Sequence, residues 1–194
     1  MDIKDALSLE CAKGLNYISI PEIVEINRQI TEPGSINRTQ EYPEGYEQKL
    51  QNFIGNISKM NDEYSDGHEE DYFQVNNLSP IQNLVNTEYD WICRKNNNVI
   101  YMSAILMHRI TAGHAFMEGN KRTAYVAASI YLANYQAHGL GLNEGYIPDL
   151  DKDLLDSLED IAVDETSLTP KQLSKVYYKG LKKGIKESIR AQSS

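Results

Sequence analysis

The amino-acid sequence predicts an all-α fold, a compact helical bundle around one buried central helix. Three observations carry that expectation. Apolar residues recur at helical spacing in six or seven segments. The stretch from Ala124 to Ala133 is apolar at almost every position, apart from Ser129 and the tyrosine hydroxyls. A helix that is hydrophobic all round belongs in the middle of its domain. Strand character is confined to Tyr72-Phe73-Gln74-Val75, enough for one short hairpin at most. With 194 residues and no internal repeat, the expected unit is one domain spanning 1–194.

Residues 1–18 are weakly patterned, with Leu7, Leu9 and Leu15 as anchors. A helix then begins cleanly. Ser19 and Glu22 form a capping box, Pro21 suits the first turn, and Ile23, Ile26 and Ile30 give one apolar face. Pro33-Gly34-Ser35 ends it. A second helical pattern runs from about Glu44 to Met60 on Tyr46, Leu50, Phe53, Ile54, Ile57 and Met60. Between Asn61 and Asn77 the chain is polar and acidic and reads as a solvated loop, with His68 exposed in it. The functional alternative is a flap around Tyr72–Val75 that docks a target. Ser79-Pro80 opens a helix to about Arg94, where Trp91 packs, and Asn96-Asn97-Asn98 turns the chain into the apolar helix Ile100–Ile110. Beyond the central helix, His138–Gly145 reads as a glycine-rich loop. Leu150, Leu154, Leu155, Leu158 and Ile161 mark an acidic amphipathic helix. Thr169-Pro170 with Gln172 caps a last helix, about 169–190, whose outer face is basic and reads as a solvated surface on an acidic domain.

Composition narrows the function. Hydrophobic residues at 41% and charged residues at 24% are ordinary for a globular protein, and no apolar run is long enough to cross a bilayer. The first residues lack the apolar centre of a signal peptide, so a cytoplasmic location is expected, with no membrane partner. Cys11 and Cys93 have no metal-ligand spacing and suggest no disulfide framework. A net charge of −9 argues against a broad nucleic-acid surface but leaves room for a nucleotide in a local pocket.

The chemistry concentrates between the two apolar helices, in His114-Ala-Phe-Met-Glu-Gly-Asn-Lys-Arg-Thr-Ala124. A helix starting near Asn120 offers unpaired backbone N–H groups and a positive dipole end, which together attract an anion. Gly119 lets the backbone approach a ligand or take a positive φ. Lys121 and Arg122 add charge, and arginine grips phosphate with two parallel bonds. Glu118 is a hard oxygen ligand suited to Mg²⁺ that bridges to phosphate oxygens. Histidine is the one side-chain type in this stretch whose unperturbed pKa lies near neutrality, which makes His114 the natural general base. Phe116 is expected to point into the core and fix the loop. His108, six residues before His114, is not on the same helical face, so it reads as structural, and no third strong ligand exists for zinc.

The run His-x-Phe-x-Glu-Gly-Asn-Lys-Arg resembles the signature of the Fic/Doc (Fido) family. AMP-transferring Fic enzymes typically read His-Pro-Phe-x-x-Gly-Asn-Gly-Arg, with a second arginine three residues on. Here Ala115, Lys121 and Tyr125 stand at the proline, second-glycine and second-arginine positions. The Lys-Arg-Thr-Ala run is similar to the death-on-curing (Doc) branch, whose members act as toxins and can phosphorylate a translation factor. The helix beginning at Ile20 also resembles the opening helix of Doc-type proteins, more weakly. The resemblance implies a Fic-type bundle. It also implies that His114 deprotonates a target hydroxyl, Glu118 holds Mg²⁺, and Gly119, Asn120, Lys121 and Arg122 bind the phosphates.

The expected function is therefore transfer of a phosphate-containing group from a nucleoside triphosphate, ATP first, to a Ser, Thr or Tyr hydroxyl of a target protein. Doc-like phosphorylation is favoured over AMP transfer. A non-catalytic nucleotide- or peptide-binding module is the alternative from another class. Many Fic enzymes carry an inhibitory Ser/Thr-x-x-x-Glu-Gly/Asn helix. The nearest match here, Asn143-Glu144-Gly145, has Leu140 at the hydroxyl position, so an antitoxin or other inhibitory partner in trans is expected.

Overall fold

The computed structural model describes residues 7, 9–11, 18–31, 75–96, 98–140, 148 and 151–192. Its elements are α1 (Ile20–Thr31), α2 (Ser79–Asn83), a π-helical turn (Leu84–Glu88), α3 (Tyr89–Asn96), α4 (Val99–Ala112), α5 (Asn120–Leu140), α6 (Lys152–Val163) and α7 (Pro170–Gln192). The fold is all-α. Among the described residues, β pairing is limited to an isolated antiparallel bridge between Val75 and Phe116. The patterns at Glu44–Met60, Asn61–Gln74 and Gly141–Gly145 lie outside the described residues, as do His68 and most of the flap segment.

α5 is the axis. From Ala124 to Ala133 every side chain is buried, so no face is left for water. α4 covers it most extensively, and α1 and α6 pack on it from other sides. α7 in turn covers α4, with Leu173, Tyr177, Leu181 and Ile185 fully buried. Trp91 is 62% exposed, under the Lys95 ammonium, and so does not pack as the sequence suggested.

The helix starts follow the sequence closely. Ser19 N–H donates to Glu22 Oε2 (2.5 Å) and Glu22 N–H to Ser19 Oγ (3.3 Å), a capping box at α1. Asn98 Oδ1 accepts from Tyr101 N–H at α4, and Asp151 Oδ1 from Leu154 N–H at α6. Thr169 and Gln172 cap α7 reciprocally, with Thr169 N–H to Gln172 Oε1 at 2.9 Å. Each such cap contributes about 1 kcal/mol. On the basic face of α7, Lys179 pairs with Asp153 of α6 at 2.6 Å.

Three expectations need correction. The single helix expected over Pro80–Arg94 is interrupted by a π turn at Leu84–Glu88 and runs on to Asn96. α5 continues through His138 and Gly139 to Leu140, because an isolated glycine is tolerated once a helix is anchored by a buried face. Cys11 and Cys93 form a disulfide with a Cα–Cα distance of 5.5 Å. The two are 82 residues apart, and only the passage of the N-terminal segment beside α3 brings them together. Such a bond persists in oxidising surroundings. In a reducing cytosol the two cysteines are thiols. No helix among the described residues is long and apolar enough to cross a membrane.

His108 is structural: its Nε2 lies 3.0 Å from the Leu168 carbonyl and ties α4 to the start of α7. Burial lowers its pKa below the ordinary 6.5, against the raising effect of that carbonyl. Between the depressed folded value and 6.5 the unfolded chain holds more protons. Stability from this group is therefore complete above 6.5 and is lost as pH falls through that window. Urea midpoints between pH 7.5 and 5 should fall more steeply for the wild type than for His108→Gln.

Candidate active site

α4 ends at Gly113, whose N–H closes the last turn on the Arg109 carbonyl at 3.1 Å. Six residues then lead to α5, and two of them, at opposite ends, take positive φ: His114 at 43° and Gly119 at 73°. For a histidine that conformation costs about 1 kcal/mol, so the surrounding contacts must hold it. They do. Asn76 Nδ2 donates to the His114 carbonyl (3.0 Å), and Asn76 and Asn77 N–H both donate to the Ala115 carbonyl (2.8 and 3.1 Å). The chain at Val75–Asn77 thus runs as a short rail beside the loop, the one described part of the expected flap.

The middle of the loop is pinned from inside. Phe116 is 1% exposed and anchors the loop in the core. Its N–H donates to Asn120 Oδ1 (2.9 Å), and Asn120 Nδ2 donates back to its carbonyl (2.6 Å). The Asn120 carboxamide is therefore occupied within the loop. What Asn120 presents to an anion is its backbone N–H.

Gly119 caps α5: its carbonyl accepts the first helical bond, from Thr123 N–H at 2.8 Å. The N–H groups of Asn120, Lys121 and Arg122 precede that bond and have no intrahelical acceptor. A Cβ at Gly119 would lie 2.8 Å from Thr31 Cγ2 and 3.1 Å from Asn27 Nδ2, so α1 presses against the backbone there.

His114, Met117, Glu118, Gly119, Asn120, Lys121 and Arg122, with Ala162 of α6, line one cleft of about 210 Å³. His114 and Glu118 are exposed to it. Burial pulls the Arg122 guanidinium below its usual pKa, and the Glu118 carboxylate opposes that shift. The arginine is thus partly stripped of water, which strengthens its hold on an anion. Lys121 Nζ is 3.2 Å from Glu159 Oε1 on α6, an exposed pair that a phosphate can displace at little cost. Among the described residues no three metal-ligating side chains converge. Glu118 alone fits an ion that brings most of its oxygens from water and phosphate, as Mg²⁺ does, and does not fit zinc.

Every polar residue singled out in the motif lines this cleft. Sequence reasoning missed three contributors: Asn27, Asn76 and Glu159. Asn27 had a readable signal, since it is a polar residue on the same helical face as Ile23 and Ile30. Asn76 and Glu159 had none, because their contacts cross 38 residues of chain. Tyr125, at the position of the second arginine, is 2% exposed and donates its hydroxyl to the Pro148 carbonyl at 2.9 Å, pointing away from any role as a cation.

The Gly119→Ala substitution forces a Cβ into α1 at positive φ. We expect it to destabilise the protein by about 2 kcal/mol, read as a lowered urea midpoint with unchanged slope.

The Fic/DOC family profile matches residues 17–132, more than half of the chain. That span runs from the start of α1 through the buried part of α5. No curated protein and no solved structure matches.

Proposed function

The chain belongs to the Fic/DOC family, and from that premise we propose that it transfers a phosphate-containing group from a nucleoside triphosphate, ATP first, to a side-chain hydroxyl of a target protein. The observation that carries this reading is the convergence of His114, Glu118, Arg122 and the start of α5 on one cleft. Phosphoryl and nucleotidyl transfer need little more than positioning and charge neutralisation, and this cleft offers both. The N–H groups of Asn120, Lys121 and Arg122 and the two cationic side chains receive phosphate oxygens. Glu118 holds Mg²⁺, which neutralises charge on the phosphates when bound. His114, exposed at the mouth, takes the proton from the incoming hydroxyl.

Within this class we favour a Doc-like kinase that transfers the γ-phosphoryl group. Two features support it. Lys121 follows Asn120 where AMP-transferring relatives carry glycine, and buried Tyr125 supplies no second guanidinium to orient a triphosphate with its α-phosphate toward the target. The proposed setting is a cytoplasmic toxin that acts on a translation factor and is restrained by an inhibitory partner in trans.

The test uses purified protein, Mg²⁺ and a cell lysate, with ATP labelled at either the α- or the γ-phosphate and His114→Ala as control. We expect label from the γ position only, reduced at least about 100-fold in the variant. Transfer of α-label would replace phosphorylation by AMP transfer. Tight nucleotide binding with no transfer of either label, equal in wild type and variant, would make the protein a binding module.

A further inference from the structure

Asn27 lies in the middle of α1, far in sequence from the motif, and is fully buried. Its Nδ2 donates two hydrogen bonds, to the Glu118 carbonyl (2.9 Å) and to Thr123 Oγ1 (2.9 Å). These acceptors bracket the phosphate-facing backbone, one just before Gly119 and one just after Arg122. Its Oδ1 is buried and receives no hydrogen bond, which is a cost to the fold that an apolar residue would not incur. A buried carboxamide that satisfies only its amino half is explained by what that half holds.

We propose that Asn27 is a positioning residue for the phosphate site, setting the direction of the backbone N–H groups at the start of α5. The proposal rests on reading the cleft as that site. The Glu118–Gly119 peptide is trans, so its C=O and N–H point in opposite directions. Drawing the Glu118 carbonyl onto α1 turns the Gly119 N–H away from α1, toward the cleft that Gly119 lines. The second bond, to Thr123, fixes the first turn of α5 in the same frame. Thr31 packs close to Gly119, where an added Cβ would lie 2.8 Å from its Cγ2. α1 therefore acts as a template on which the loop end is shaped. His114 is held separately, by Asn76.

That division of labour gives a specific kinetic signature. Asn27→Asp keeps the shape but replaces the donor by an oxygen, so the bond to the Glu118 carbonyl is lost while the Thr123 hydroxyl can donate instead. Asn27→Leu keeps the approximate size and removes all polarity. Both should raise KM for Mg²⁺–ATP about 10-fold, as loss of an outer supporting contact does. Both should leave kcat within about 3-fold of wild type, since His114 is positioned elsewhere. Thr123→Val, which removes only one acceptor, should show a smaller rise in KM and serves if Asn27→Asp does not fold.

Amide chemical shifts of Gly119–Thr123 give a readout independent of catalysis. They should move in both Asn27 variants, while those of Val126–Leu132 stay in place. Variants that lower thermal stability but keep the wild-type KM per folded molecule and unmoved Gly119–Thr123 amides would overturn the proposal. A wild-type protein that takes no Mg²⁺–ATP would sink the functional reading alone, and the amide shifts would then decide the role of Asn27.

Discussion

The rest of the structure depends on α5 having no polar face from Ala124 to Ala133. Such a helix can exist in water only if other elements wrap it completely. Among the described residues α4, α1 and α6 pack on it, and α7 covers α4. Because its sides are covered, the helix meets the cleft through its N-terminal end. The first N–H groups there have no intrahelical acceptor, a polar feature that even a buried helix cannot dispense with. The same constraint that builds the core therefore turns the polar start of α5 toward the cleft, where we propose that phosphate binds.

The loop before α5 converts that general property into a specific geometry. Two positive-φ residues bend it at its ends, and reciprocal bonds between Phe116 and Asn120 fix its middle. Asn76 secures the histidine end and Asn27 the glycine end, from opposite directions in the sequence. Three asparagines thus satisfy the backbone of one loop. Each holds a carbonyl that the bend has taken out of regular helix pairing. In this arrangement carboxamides hold the carbonyls of the loop, and the charged residues Glu118, Lys121 and Arg122 line the cleft.

The fold class was readable because burial and helical spacing coincide. Ile23, Ile26, Leu154, Leu158, Leu173, Tyr177 and Leu181 recur at the expected intervals and are all buried. The caps at Ser19 and Thr169 were legible for the same local reason. The motif was legible because its residues are contiguous in sequence and line one cleft. What escaped depends on distant pairings. The Cys11–Cys93 bond, the Lys121–Glu159 pair and the Asn76 contact join segments whose proximity no local pattern encodes. The extension of α5 past His138 was missed because glycine was read as punctuation where the helix had already been anchored. Asn27 is the intermediate case: its place on an apolar stripe was visible, and its partner was not.

The central claim is that the start of α5 receives phosphate oxygens. A crystal structure of the protein with Mg²⁺ and a non-hydrolysable ATP analogue tests it most directly. We predict phosphate oxygens within hydrogen-bond distance of the Asn120, Lys121 and Arg122 backbone N–H groups, with Glu118 on the Mg²⁺ and His114 facing the mouth of the cleft. A nucleotide bound away from this helix end, with the cleft filled only by solvent, would contradict the account.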